Sequence, residues 1–241
     1  MKEDVILKID RFDKEKGRWT QKYNVPRHKG LTVLDALIYI HENLDETLTM
    51  DYNCRAGRCG TCGVMRDGKP ALACETLIKE HHDEVSVSPK SHHETIKDLM
   101  CFDPDAWEVR KKILEEAPFT QKEKGLVKIL PHQLERFHKL DVCIECGLCQ
   151  SACPNLKQKG WVGPMHGVYI AKLDAHPNDA VDRAELMHKV GVAGCNTNFA
   201  CQRNCPKNIP ITRDALIPEK EKWNSKNNTF ARIARRMKRK N

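Results

Sequence analysis

Apolar and polar residues alternate at the start of the chain. Val5, Leu7 and Ile9 interleave with Ile6, Lys8 and Asp10, which predicts a strand with one buried face. A second strand is predicted over residues 18–25. Thr32-Val33-Leu34-Asp35 reads as a capping box, and Leu34, Leu37, Ile38 and His41 continue at helical spacing. Asp67-Gly68 marks a tight hairpin turn. Two strands, a helix and a returning hairpin predict a small sheet gripping one helix. The stretch from His81 to His93 is polar and without clear period, so it reads as a connector. Its paired histidines, His81-His82 and His92-His93, read as solvated linker residues rather than metal ligands. From Asp105 onward the pattern is helical. The expectation is an α+β chain with a boundary near residue 100, giving domains over 1–100 and 101–241.

Composition narrows the chemistry. Hydrophobic residues are 40% of the 241 and aromatics 6%, so the cores are modest and metal clusters would help tie them. No run of about 18 apolar residues appears, so no spanning segment is expected. The opening MKEDVILKID lacks the basic-then-apolar profile of a signal peptide, which places the chain in the cytoplasm unless a partner carries it out. A net charge of +8 permits nucleic acid, anionic lipid or an acidic protein as partner. Part of that excess can offset anionic clusters, and no aromatic-interleaved basic motif supports nucleic acid. Of the 12 cysteines, 11 fall into ordered groups. In a long chain without a signal, such grouping means metal rather than disulfides.

The first group is Cys54, Cys59 and Cys62 in NCRAGRCGTCG, with Cys74 following in LAC. C-x4-C-x2-C with a later cysteine is the plant-type arrangement for a [2Fe–2S] cluster. Gly57, Gly60 and Gly63 let the loop backbone come close to the sulfurs, where its N–H groups can tune the cluster. Zinc sites favour paired C-x2-C units and fit this opening poorly.

Cys143, Cys146, Cys149 and Cys153-Pro154 form the bacterial ferredoxin run, whose fourth cysteine serves the other cluster. The reciprocal motif is Cys195, Cys201 and Cys205-Pro206, with Asn198 standing where a middle cysteine would be. The crossover rule joins Cys143, Cys146, Cys149 and Cys205 on a [4Fe–4S] cluster. It joins Cys153, Cys195 and Cys201 on a site with three thiolates, for which [3Fe–4S] is the natural product. Cys101 belongs to no group and reads as a buried free thiol.

A plant-type [2Fe–2S] region followed by a two-cluster ferredoxin lacking one cysteine resembles the iron–sulfur subunit of succinate dehydrogenase and fumarate reductase. The resemblance rests on CRAGRCGTC with Cys74, CIECGLCQSACP and CNTNFACQRNCPKNIP, and it spans nearly the whole chain. It implies a β-grasp [2Fe–2S] ferredoxin domain joined to an all-helical two-cluster domain. It also implies a relay from the FAD of a flavoprotein subunit, through the three clusters, to a quinone beside a membrane anchor. The chain itself would hold neither FAD nor dicarboxylate, and would sit peripherally on the cytoplasmic face of the membrane. Two positions depart from the family pattern. Asn155, Leu156, Lys157 and Gln158 follow Cys153-Pro154 where many members place tryptophan, with Trp161 the nearest aromatic, and Asn196 replaces a common histidine. The quinone ligands are therefore not carried over. A carrier subunit of a soluble or thiol-linked fumarate reductase is the competing reading.

Near the end, Phe230, Ile233, Ala234 and Met237 recur at helical spacing among Arg232, Arg235, Arg236, Lys238, Arg239 and Lys240. Two readings stand side by side: a basic amphipathic helix for anionic lipid or an anchor subunit, and a solvated tail.

Overall fold

The structure, a computed structural model, describes residues 3–228, so the basic segment from Phe230 onward lies outside the described residues. The chain divides into two units. The first takes Met1–Pro104, Ile144–Ala152 and Arg203–Asn208, and the second takes Asp105–Cys143, Cys153–Gln202 and Ile209–Asn241. The first unit thus holds two segments from far beyond residue 100. The physical reason is apolar burial: Leu148 is part of that unit's hydrophobic core, and Ile144 and Cys146 pack against it.

In the first unit, strand β1 (Asp4–Asp13) pairs antiparallel with β2 (Gly17–Pro26). Val5, Leu7 and Ile9 face the core, as their alternation predicts. Helix α1 (Val33–Asn43) opens on the predicted capping box. Thr32 Oγ1 accepts the Asp35 N–H, and the Asp35 carboxylate accepts the Thr32 N–H, each at 3.1 Å. Its buried face is Val33, Leu34, Ala36, Leu37 and Ile40. Strands β3 (Gly63–Arg66) and β4 (Lys69–Leu72) form the predicted hairpin, with Asp67 and Gly68 at φ of 49° and 74°.

The connector reading of residues 81–93 is corrected by β5 (Glu84–Ser88). This strand runs parallel to β1 and antiparallel to β3, giving the order β2-β1-β5-β3-β4. Val85 and Val87 are buried, so a brief alternation is present. Five residues between polar flanks are too short to declare a period. A separate ribbon follows, β6 (Glu94–Lys97) with β7 (Met100–Phe102).

Helix α2 (Ala106–Glu116) begins the second unit, followed by α3 (Glu135–Asp141). The short α4 (Leu148–Ser151) belongs to the first unit. Helix α5 (Pro164–Asp174) is the centre of the second unit, with Met165, His166, Gly167, Val168, Ile170 and Ala171 buried. Helices α2, α3 and α6 (Ala184–Lys189) pack against it, as does a π-helical turn at Ile211–Leu216. The four-residue α7 (Ala200–Arg203) and then α8 (Ile217–Asn227) complete the described elements. No described helix is long and apolar enough to cross a membrane.

Two features hold the first unit in register. Arg11 is buried and forks onto buried Asp98, with Nε to Oδ1 at 2.8 Å and Nη2 to Oδ2 at 3.1 Å. The same guanidinium reaches Asp45 at 2.7 Å, while Asp98 accepts backbone N–H groups from Phe12 and Thr49. This network ties β1, the loop after α1 and the β6–β7 ribbon together. The second feature is Gly60, at φ of 76°. A Cβ there would lie 2.8 Å from both Ile144 O and Cys146 Cβ and 2.9 Å from Cys146 Cα.

Replacing Arg11 by methionine leaves the buried Asp98 carboxylate without its counter-charge, with only the Phe12 and Thr49 N–H groups to hold it. The expected loss is about 3–5 kcal/mol, read as a large drop in apparent unfolding temperature. Gly60→Ala and Gly68→Ala separate contact from conformation. Both have positive φ, but nothing lies within 4 Å of a Cβ at Gly68. Gly68→Ala is expected to cost only ~1–2 kcal/mol of backbone strain. Gly60→Ala is expected to destabilise well beyond that in the same thermal melt, because backbone atoms must move. Equal losses in the two variants would contradict the packing described.

Candidate functional site

The loop carrying Cys54, Cys59 and Cys62 folds around its own sulfurs. Arg55, Gly57 and Gly60 take φ of 53°, 61° and 76°, which turns successive N–H groups inward. Ala56, Arg58 and Cys59 donate their N–H groups to Cys54 Sγ at 3.4, 3.2 and 3.2 Å. Gly57 donates to Cys74 Sγ at 3.3 Å, so the fourth thiol is brought to the same loop. Cys74 sits in the turn after β4. That turn is pinned to the start of α1 through Leu34 N–H to Ala73 O at 3.0 Å and Val33 N–H to Thr76 O at 2.8 Å.

Cys59 and Cys62 are electrostatically unlike. The Thr61 hydroxyl, 3.1 Å from Cys59 Sγ, and then the Cys54 backbone bring the Cys59 thiol down to about 6. Burial pushes Cys62 up to about 12, with Cys74 and Cys59 among its charged neighbours. Sulfurs surrounded by N–H and O–H donors suit an iron–sulfur cluster, whose charge such donors compensate.

Of the second cysteine group, Cys146, Cys149 and Cys205 fall in the first unit's segments Ile144–Ala152 and Arg203–Asn208, and Cys143 falls in the second unit. Glu145 and Gly147 take φ of 54° and 76°, repeating the left-handed kinks of the first loop. Lys90 Nζ donates to Cys146 O at 3.4 Å, and Ser151 Oγ donates to Ser91 O at 3.1 Å. The sequence does not single out Lys90, because one lysine in a polar stretch carries no signal.

Cys153, Cys195 and Cys201 lie together in the second unit, near enough that Cys195 raises Cys153 and both raise Cys201. Burial is the larger cause for each, and Cys153 and Cys201 are buried thiols. Cys201 Sγ is 3.4 Å from Thr212 Oγ1, and Cys195 Sγ accepts the Thr197 N–H at 3.4 Å. Lys220 Nζ donates to Cys195 O. Asn198 is exposed, and its side-chain oxygen accepts the Ala200 N–H at 3.0 Å at the start of α7. Trp161, outside the family pattern in sequence, is fully buried with its indole beside Cys153. Its Nε1 has no hydrogen-bond partner within the protein. That orphaned donor and the clustered thiols fit a group bearing acceptor sulfurs.

Cys101 is buried on β7 and burial raises its thiol, consistent with a packed side chain. Among the described residues no three Cys, His, Asp or Glu side chains converge as a single ion would require.

The chain matches a 2Fe-2S iron-sulfur cluster binding domain over residues 6–108 and a 4Fe-4S dicluster domain over residues 139–209. The fumarate reductase iron-sulfur subunit of Wolinella succinogenes is 33% identical over 201 residues, covering 79% of this chain and 84% of that one. A subunit of the CoM/CoB fumarate reductase of Methanothermobacter marburgensis is 33% identical over 216 residues, covering 88% of this chain but 43% of that longer one. A chain of the Mycobacterium smegmatis Sdh1 complex in the apo form aligns with a TM-score of 0.86 at 30% identity, covering 93% of this chain and 97% of its own length. A [2Fe–2S] region on a sheet, then a helical region for four-iron centres, is thus shared in sequence and in fold. The chain belongs to the family of iron–sulfur electron-transfer subunits of succinate dehydrogenase and fumarate reductase.

Proposed function

We propose that this chain relays electrons between the FAD of a flavoprotein subunit and a membrane quinone, with dicarboxylate chemistry on the partner. The observation that carries the reading is the arrangement of thiols in three environments along one chain. Cys54, Cys59, Cys62 and Cys74 would hold [2Fe–2S], Cys143, Cys146, Cys149 and Cys205 [4Fe–4S], and Cys153, Cys195 and Cys201 [3Fe–4S]. Bound clusters supply one-electron chemistry that side chains lack. The chain's own residues hold the thiols in place and set the charge around them. Loop N–H groups compensate the first set, and Thr212 and the Thr197 N–H serve the third. Asn198 spends its side-chain oxygen on α7, which supports a site with three ligands rather than four. The complex would sit on the cytoplasmic face of the membrane, held by an anchor subunit.

A second reading is favoured by two observations. Asn196 and the segment after Pro154 lack the family's quinone-end residues, and the Methanothermobacter relative belongs to a CoM/CoB fumarate reductase. In that reading the same clusters serve a complex without quinone activity.

The test uses the assembled complex. Cys201→Ser is expected to abolish the three-iron paramagnetic signal and quinone reduction, while a dye accepting directly from the flavin keeps its rate. Loss of both activities in a fully assembled complex would contradict the relay, and a wild-type complex inert toward quinones would select the second reading. Asn198→Cys is expected to place a fourth thiolate at the remaining corner. The oxidised variant would then lose the three-iron signal and gain a centre of lower potential, since thiolate adds negative charge. A signal of full strength would remove residue 198 from that corner.

A further inference from the structure

Trp161 is the least explained buried side chain of the second unit. The chain leaves Cys153-Pro154 in a tight reversal, with Lys157, Lys159 and Gly160 at φ of 67°, 49° and 74°. Lys157 N–H to Trp161 O and Trp161 N–H to Gln158 O, both at 2.9 Å, close it. The indole then enters a slot that glycines keep open. A Cβ at Gly167, on α5, would lie 3.1 Å from the ring, and one at Gly194 would lie 3.1 Å from Trp161 Cβ. Gly194 is followed directly by Cys195. The slot therefore joins the two chain segments that deliver Cys153 and Cys195, and Trp161 within it is 1% exposed.

Packing alone would be served by phenylalanine. The indole adds an N–H, and that N–H is buried with no partner at hydrogen-bonding geometry in the protein. An unsatisfied buried donor costs roughly 1–3 kcal/mol, and native proteins leave few. Beside it lies the Cys153 sulfur. We propose that the Trp161 N–H donates a hydrogen bond to a sulfur of the centre held by Cys153, Cys195 and Cys201, and thereby raises its reduction potential. Reduction adds negative charge, so a fixed donor stabilises the reduced form more than the oxidised one. Trp161 is on this account a tuning residue, and the inference rests on the three-thiolate reading above.

The experiment is a redox titration of the assembled complex followed by electron paramagnetic resonance. Trp161→Phe is expected to keep the three-iron signal and shift its midpoint to more negative potential, with the other two clusters unmoved. An unchanged midpoint overturns the proposal. Wild-type complex carrying indole-15N tryptophan gives a second readout that does not depend on the variant folding. Pulsed hyperfine spectra of its oxidised three-iron centre are expected to show a coupled nitrogen, and absence of that coupling overturns the proposal equally. A wild-type complex with no three-iron signal would instead overturn the cluster assignment and the tryptophan's role with it. A present signal, uncoupled and unshifted, would remove the tryptophan's role alone.

Discussion

Gly60 meets the Ile144–Cys146 backbone with no room for a single methyl group, and much of the first unit serves that approach. Sulfur ligands compensated by peptide N–H groups require loops in which the main chain, not side chains, fills the space around them. Such loops have little apolar surface of their own and are fixed by their ends. The Cys54 loop ends on β3 at Gly63, and the Cys74 turn leans on the capped start of α1. The second loop is held by Leu148 in the core. Away from the loops, the Arg11–Asp98 fork fixes the far end of β1.

The cysteine sets sit in contrasting surroundings. The first receives several N–H donors on a partly exposed loop, and the Cys59 thiol is low. The third places Cys153 and Cys201 in the interior, where burial raises both thiols. A desolvated anionic centre resists a further electron. In the proposed three-thiolate site, the missing fourth thiolate and the donors at Thr212 and the Thr197 N–H would work against that resistance.

Local signals in the sequence are legible where one element carries its own pattern. The β1 alternation, the Thr32–Asp35 box and the Asp67-Gly68 turn need only neighbouring residues, and each has the predicted form. Cysteine spacing likewise shows which residues share a loop. What stays hidden depends on pairing across the chain. β5 is defined by lying parallel to β1, far away along the chain on the Leu7–Val85 register, and its own pattern is brief. The placement of residues 144–152 in the first unit follows from where Leu148 finds a core, which no local period announces. Trp161 is visible in the sequence as an aromatic off the expected position. Its direction is set by Gly167 and Gly194, and spacing along a chain does not encode direction.

The interleaving of the two units bears on how the protein is made. Arg203–Asn208 completes the first unit, yet it is synthesised after most of the second. A nascent chain that has released its first 104 residues still lacks Leu148, and the core that this side chain fills stays open to water. The amino-terminal segment must then wait, with an apolar opening exposed, until the chain has been made as far as Leu148. That interval is when the opening is free to meet other apolar surface.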